Sequence, residues 1–180
     1  VCLHAGSSST APTTSSDAPS DTIGVLFFGW AMFAAVDWLY SGVCTRYPDL
    51  KICLSEGGIG WVAGLLDRLD HMLSYHEMYG TWRELGETLT PAEVLKRNFW
   101  FCAVEDQSSF IQYDRIGSDN ILLEADYPHC DSTWPHTQRT IHEQINGLPA
   151  DIIRKVTWEN ASRLYQHPVP AAVQADPNAF

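Results

Sequence analysis

Apolar residues in this chain fall into short dense runs separated by longer amphipathic stretches, and this alternation carries the first information about its fold. Val1 to Ala5, Leu50 to Ser55, Phe99 to Val104 and Ile121 to Ala125 are brief and mostly apolar, as parallel strands covered on both faces must be. Between them the period lengthens to that of a helix. Trp61 to about Tyr79 sets Val62, Leu65, Leu66, Leu69, Met72 and Leu73 at helical spacing, and residues 107–116, 135–146 and 150–165 read as further helices. Thr90-Pro91-Ala92-Glu93 marks another helix start, with Thr90 as cap, proline in the first turn and an acid at the third position.

Ile23 to Val36 is apolar or glycine without interruption. It predicts a helix from Asp21 or Thr22 to about Tyr47 that is buried on two sides, one against the sheet and one against a partner. Asp37 stops the run short of the roughly 20 residues that cross a bilayer. The Ser/Thr/Pro/Asp stretch from Gly6 to about Asp21 has loop composition, and Tyr47-Pro48-Asp49 and Glu56-Gly57-Gly58 read as turns. The resulting formula is β-α-β-α-β-α-β-α, a parallel α/β sheet with right-handed crossovers. Four such units make about half of an eight-stranded barrel. The expected domain is residues 1–167, followed by a flexible proline- and alanine-rich tail over 168–180.

Composition narrows the partners. A chain of 180 residues with 45% hydrophobic and 18% charged residues reads as one soluble domain. Its 22 acids against 11 bases leave a net charge of −11, which repels phosphate backbones and anionic membrane surfaces, so neither nucleic acid nor membrane is expected as a partner. The five cysteines are odd in number, widely spaced and without a CxxC pair, which points to neither a disulfide framework nor a zinc knuckle and favours a reducing, cytoplasmic setting. Val1 follows no methionine, basic n-region or cleavage site, so no signal peptide is expected and the chain reads as a piece of something longer.

The candidate chemistry lies at strand ends. Ile121 to Ala125 delivers Asp126 just before the Tyr127-Pro128 turn, where proline ends the strand and leaves the acid at the rim. His4 ends the first strand and Glu56 follows the second. His129 stands three residues past Asp126, placed to face substrate or to orient a ligand through its second nitrogen. Each has a plainer reading: His4 as a structural histidine, Asp126 as a turn residue, Glu56 as a solvated acid. Glu105 and Asp106 are further rim acids, and Trp61, Tyr127 and Trp134 are candidate pocket walls or packing residues. His71, His76, His136 and His142 fall on predicted helices in no ligand-like pairing.

Several of these segments together resemble the amidohydrolase superfamily, in its branch of TIM-barrel metal enzymes that includes aminocarboxymuconate-semialdehyde decarboxylase and the resorcylate decarboxylases. Leu3-His4-Ala5-Gly6-Ser7-Ser8 looks like the fifth barrel strand of that branch, and Tyr47 to Ile52 through Glu56-Gly57-Gly58 looks like the sixth. Glu124-Ala125-Asp126-Tyr127-Pro128-His129 resembles the eighth-strand signature, and Trp158 to Tyr165 is similar to the closing helix. The resemblance implies the C-terminal half of a (β/α)8 barrel, strands five to eight, without the first strand and its paired His-x-His ligands. It implies a divalent metal, zinc by default with manganese close behind, held by His4 and Asp126, with Asp126 also taking a proton from bound water. One departure is clear: many relatives carry histidine where this chain has Glu56, which can serve as general base, oxygen ligand or orienting group and cannot serve as an imidazolium donor.

The expected activity is that of a mononuclear metal-dependent hydrolase or non-oxidative decarboxylase acting on a small carboxylate, amide or lactone-like substrate, with catalytic roles for Asp126, Glu56 and His129. The alternative is a non-catalytic half-barrel that acts as an association module. Its open sheet edges would demand a missing N-terminal half or a second copy, and the intact parent would be a homodimer through the apolar helix.

Overall fold

The computed structural model of the chain describes residues 1–4, 10–75 and 80–176. Four strands, β1 (Cys2–His4), β2 (Ile52–Ser55), β3 (Phe99–Ala103) and β4 (Ile121–Leu123), form one sheet in chain order, and every neighbouring pair is parallel. A doubly wound sheet reverses its order part-way; an order that never reverses is the winding of a barrel segment.

Helices fill every crossover. Between β1 and β2 lie α1 (Ser20–Val25), α2 (Phe28–Tyr40) and α3 (Val43–Arg46); between β2 and β3 lie α4 (Val62–Ser74), α5 (Thr81–Glu84) and α6 (Pro91–Asn98). A 3-10 turn (Phe110–Gln112) and α7 (Tyr113–Ile116) lead towards β4. The chain continues through α8 (Thr137–Ile145), α9 (Ala150–Arg154), a π-helical segment (Lys155–Glu159), α10 (Asn160–Tyr165) and α11 (Ala171–Gln174). No helix among the described residues is long and apolar enough to cross a membrane.

The strand register sorts side chains onto two faces. Ile52, Leu54, Phe99, Phe101, Ala103 and Ile121 join the main core with Ala35 and Leu39 of α2, Val62 and Leu66 of α4, and Val94 and Leu95 of α6. The opposite face presents Cys53, Trp100, Cys102 and Leu122, and Ala161 and Leu164 of α10 pack on it. Side chains alternate because the strand period is two.

Three buried asparagines tie the strand entries together. Asn98 Nδ2 donates to the carbonyls of Pro48 at 3.1 Å and Leu50 at 2.6 Å, just ahead of β2. Asn120 Nδ2 donates to Lys96 and Phe99, both at 2.7 Å, at the start of β3. Asn160 Nδ2 donates to Ser118 at 2.7 Å and Ile121 at 2.8 Å, at the start of β4. Each amide satisfies two carbonyls in the loop entering the strand before it or beside it, groups that would be costly to bury unpaired.

Several boundaries differ from expectation. The long helix expected to Tyr47 is three helices, broken at Leu26 and again at Gly42, whose φ of +74° is a left-handed conformation that glycine adopts freely. It is not buried on two sides: Gly29, Ala31, Ala35 and Leu39 of α2 are buried, while Val25, Phe28 and Phe33 face outward. The helix expected from Trp61 to Tyr79 ends at Ser74, and His76 to Tyr79 lie outside the described residues, as do Ala5 to Ser9 of the first loop. β4 stops at Leu123, so Asp126 stands three residues beyond the strand. The Thr90 expectation holds in full, with Thr90 Oγ1 accepting from Glu93 N–H and Glu93 accepting from Thr90 N–H.

Candidate active site

The ends of β1, β2 and β4 bring four of the expected residues into one hydrogen-bonded chain. His4, the last residue of β1, places Nε2 2.9 Å from Glu56 Oε1. Glu56 shares a carboxyl–carboxyl hydrogen bond with Asp126, and His129 Nδ1 lies 2.7 Å from Asp126 Oδ2. The two carboxylates are the sheltered members, at 12% and 20% side-chain exposure, while both imidazoles are more than half exposed. The order His4, Glu56, Asp126, His129 thus runs from solvent through a shielded acid pair and back to solvent.

The backbone holds both acids in unusual conformations. Glu56 has φ +53° and Asp126 has φ +56°, the left-handed region that costs a non-glycine residue about 1–2 kcal/mol. Asp tolerates it better than Glu because its short side chain bonds locally. The next two residues show why the turn persists. A Cβ on Gly57 would fall 2.7 Å from Ala31 Cβ and 3.2 Å from the Leu54 carbonyl, so only glycine lets α2 approach the end of β2 this closely. Gly58 follows at φ +64° over Asp106, whose Oδ1 accepts from Ile59 N–H at 3.0 Å and whose Oδ2 accepts from Val104 N–H at 3.3 Å.

Asp106 is therefore occupied in bracing the β2 and β3 turns. Gln144 reinforces it by accepting from Asp106 N–H at 2.6 Å and donating to the Val104 carbonyl at 2.9 Å. Its neighbour Glu105 is exposed and away from the four-residue chain's hydrogen bonds.

Burial raises the Glu56 carboxyl above its ordinary range, Asp126 raises it further, and His4 opposes both. The Glu56 carboxyl therefore keeps a proton to higher pH than an ordinary carboxylate, and it does so beside Asp126. Such a pair can accept a proton from one partner and return it to another.

Glu124 is a member that the sequence reading did not single out. Its Oε2 accepts the backbone N–H of Glu56 at 2.8 Å, and its carboxylate also contacts the Cys102 thiol. The signal was present in the period-two alternation. With Ile121 on the core face, Leu122 and Glu124 fall on the opposite one, beside Cys102.

The aromatics divide. Trp61 donates Nε1–H to the Gly57 carbonyl at 2.8 Å, meets Phe101 edge-on, and lines a cavity of about 390 Å³ with Phe28, Gly58, Gly60 and Asp106, next to the Glu56 turn. Tyr127 and Trp134 pack against each other with ring centroids 5.2 Å apart and remain exposed. A larger cavity of about 460 Å³ lies in the helix layer among α2, α4 and α5 and includes none of the four strand-end residues.

The donor types at the strand ends suit a divalent ion, since imidazole nitrogen and carboxylate oxygen are ligands for zinc or manganese. Their number is short. Among the described residues no group of three or more His, Cys, Asp or Glu side chains is arranged to hold a metal. His4 and Asp126 supply two donors, and a closed set would draw the rest from elsewhere.

Comparison with known proteins agrees with the geometry. The profile of a family described as amidohydrolase matches residues 1–166. An amidohydrolase from Mycobacterium avium subsp. paratuberculosis K-10 superposes with a TM-score of 0.64 at 26% identity, covering 81% of this chain and 36% of that one. A 5-carboxyvanillate decarboxylase from Sphingomonas paucimobilis superposes with a TM-score of 0.62, also at 26% identity, covering 78% of this chain and 41% of that one. No curated protein matches the sequence. The chain thus spans about two fifths of the length of these solved relatives.

Proposed function

The chain belongs to the amidohydrolase family, and on that premise we propose that its strand-end residues serve a divalent-metal-dependent hydrolase or non-oxidative decarboxylase acting on a small carboxylate, amide or lactone-like substrate. The observation that carries this reading is the hydrogen-bonded sequence His4–Glu56–Asp126–His129 at the ends of three parallel strands, the place where barrel enzymes keep their chemistry. On this reading the four strands are the fifth to eighth of the barrel, and the remaining metal ligands come from a half that the chain does not contain.

His4 and Asp126 are the residues of this chain that would hold the metal, zinc first and manganese second. A divalent ion at such a site supplies Lewis acidity toward a substrate oxygen. The chain's own groups handle the proton. Asp126 accepts it while His129 fixes Oδ2 and keeps the carboxylate aimed. Glu56, raised by burial and by Asp126, returns it to the substrate carbon or leaving group. The likeness to a decarboxylase of an aromatic carboxylate favours a small aromatic acid as substrate.

The test is the chain assembled with its complementary half-barrel, metal-reconstituted and assayed for carbon dioxide release from aromatic carboxylates and for acid release from lactones and amides, beside Asp126→Asn. Turnover in one panel that Asp126→Asn abolishes supports the reading and chooses the reaction. Turnover unchanged in the variant contradicts it.

A second reading is favoured by the sheet edges and by α1 and α2. Among the described residues β1 and β4 each pair with a single neighbour, and Val25, Phe28 and Phe33 expose apolar surface. An association module, pairing with a complementary half-barrel or with a second copy, would use those features. Light scattering separates this reading from a self-sufficient monomer, because the module should be oligomeric.

A further inference from the structure

The sheet face opposite the main core carries a pair of thiols that the strand-end chemistry does not use. Cys53 Sγ lies 3.4 Å from Cys102 Sγ, and both side chains are almost fully buried. The Tyr165 hydroxyl donates to Cys53 Sγ at 3.2 Å and also lies 3.6 Å from Cys2 Sγ. With two donors directed at it, Cys53 is pulled down to about 7, while contact with Cys53 and burial push Cys102 well up. The pair is therefore one nucleophilic sulfur beside one that keeps its proton.

Register decides what such a pair can do. Cys53 is level with Trp100, so Cys102 stands two residues further along β3 and is a diagonal neighbour. Diagonal Cα atoms are about 7–8 Å apart. A disulfide requires roughly 4.4–6.8 Å. The sulfurs already lean toward each other, and closing them to bonding distance would require the two strands to move.

A third atom placed between them removes that difficulty. With bonds to sulfur of about 2.3 Å, as in zinc thiolates, a bridging atom spans this gap at an angle of about 95°. That is the shape of a pyramidal trivalent centre and is far from a linear two-coordinate ion. A tetrahedral metal would need further protein ligands, and no third ligating side chain completes such a group among the described residues. An electrophile that brings its own third substituent needs only the two sulfurs.

We propose that Cys53 and Cys102 form a dithiol capture site for a monosubstituted trivalent arsenical, which bridges the two sulfurs. The step balances without an oxidant. Cys53 sulfur bonds to arsenic as the oxo oxygen takes its proton; Cys102 sulfur then bonds as the hydroxyl leaves with the second proton. Two S–H bonds and the arsenic–oxygen bond break, two sulfur–arsenic bonds form, one water departs, and arsenic stays trivalent. Entry is beside α10, which covers the pair with a short helix ending at the half-exposed Tyr165 and followed by an exposed tail. The Tyr165 hydroxyl marks that edge, touching both the buried Cys53 and the exposed Cys2.

The probe is phenylarsine oxide, added to the folded chain in a Cys2→Ser/Cys130→Ser background so that only the buried thiols remain. Intact-mass spectrometry should show one phenylarsenic adduct per chain that survives excess monothiol and is removed by 2,3-dimercaptopropanol. Cys53→Ala and Cys102→Ala should each abolish the retained adduct, while Cys44→Ala, which lacks a thiol neighbour to bridge, should leave it. Tyr165→Phe should slow capture several-fold by removing a donor to Cys53. Should either alanine variant fail to fold, peptide mapping of the parent adduct decides: a bridge between the Cys53 and Cys102 peptides supports the site, and any other location overturns it. Absence of a retained adduct, or a Cys53–Cys102 disulfide formed readily by hydrogen peroxide in the native chain, also overturns it.

Discussion

Glu124 Oε2 accepts the backbone N–H of Glu56 at 2.8 Å, although β3 lies between the strands that carry these two residues. The bond crosses the mouth of the sheet and fixes the backbone at the residue whose φ is left-handed. Truncation by Glu124→Ala leaves that N–H without its acceptor and should cost about 1–2 kcal/mol. Glu124→Gln keeps an acceptor oxygen and should recover most of the loss. Urea denaturation of the three proteins checks this, and equal midpoints for Ala and Gln would show that the bond does not hold the turn.

The asparagine ties make a sharper stability prediction. Asn98 serves two carbonyls at the entry to β2 and is fully buried. Asn98→Ala should destabilise the fold by about 2–4 kcal/mol, because both acceptors lose a donor in a dry site. Asn98→Asp should be worse still, since it faces carbonyl oxygens with carboxylate oxygens. Thermal and urea unfolding of both variants measure the order.

The capping box on α6 should be visible in the acid limb of stability. The Thr90 backbone N–H and then the Thr90 side chain hold Glu93 below its ordinary 4.5. The folded state therefore binds fewer protons than the unfolded state in that range. The contribution is fully present above pH 4.5 and is lost as pH falls through the lower folded value. The stability difference between the parent chain and Glu93→Gln should be constant above pH 4.5 and should shrink below it. A difference that grows on acidification contradicts the assignment.

Period and punctuation made the βα order legible, because dense apolar runs and helical spacing are written residue by residue. The Thr90 box was legible for the same reason: every partner lies within four positions. Asn98, Asn120 and Asn160 were not, since a lone asparagine looks like any turn residue until the fold brings a distant carbonyl pair to it. The three-way division of the first crossover was also hidden. Its apolar run satisfies helical patterning throughout, and only the left-handed Gly42 and the geometry after Val25 break it. At the site, His4, Glu56 and Asp126 are legible from their places at or just past the predicted strands, and His129 from its spacing of three after Asp126. Glu124 is not, because an acid inside the strand expected to Ala125 has no local signature that pairs it with Glu56 or Cys102.

On the proposed reading, His4 and Asp126 belong to one metal-binding mouth. Plasma mass spectrometry of the purified chain, of His4→Ala and of Asp126→Ala, each dialysed against trace zinc, tests it most directly. More zinc on the parent chain than on either variant, at the partial occupancy that two donors give, is the predicted result. Zinc retained equally by all three would place any metal elsewhere and contradict the account of the site.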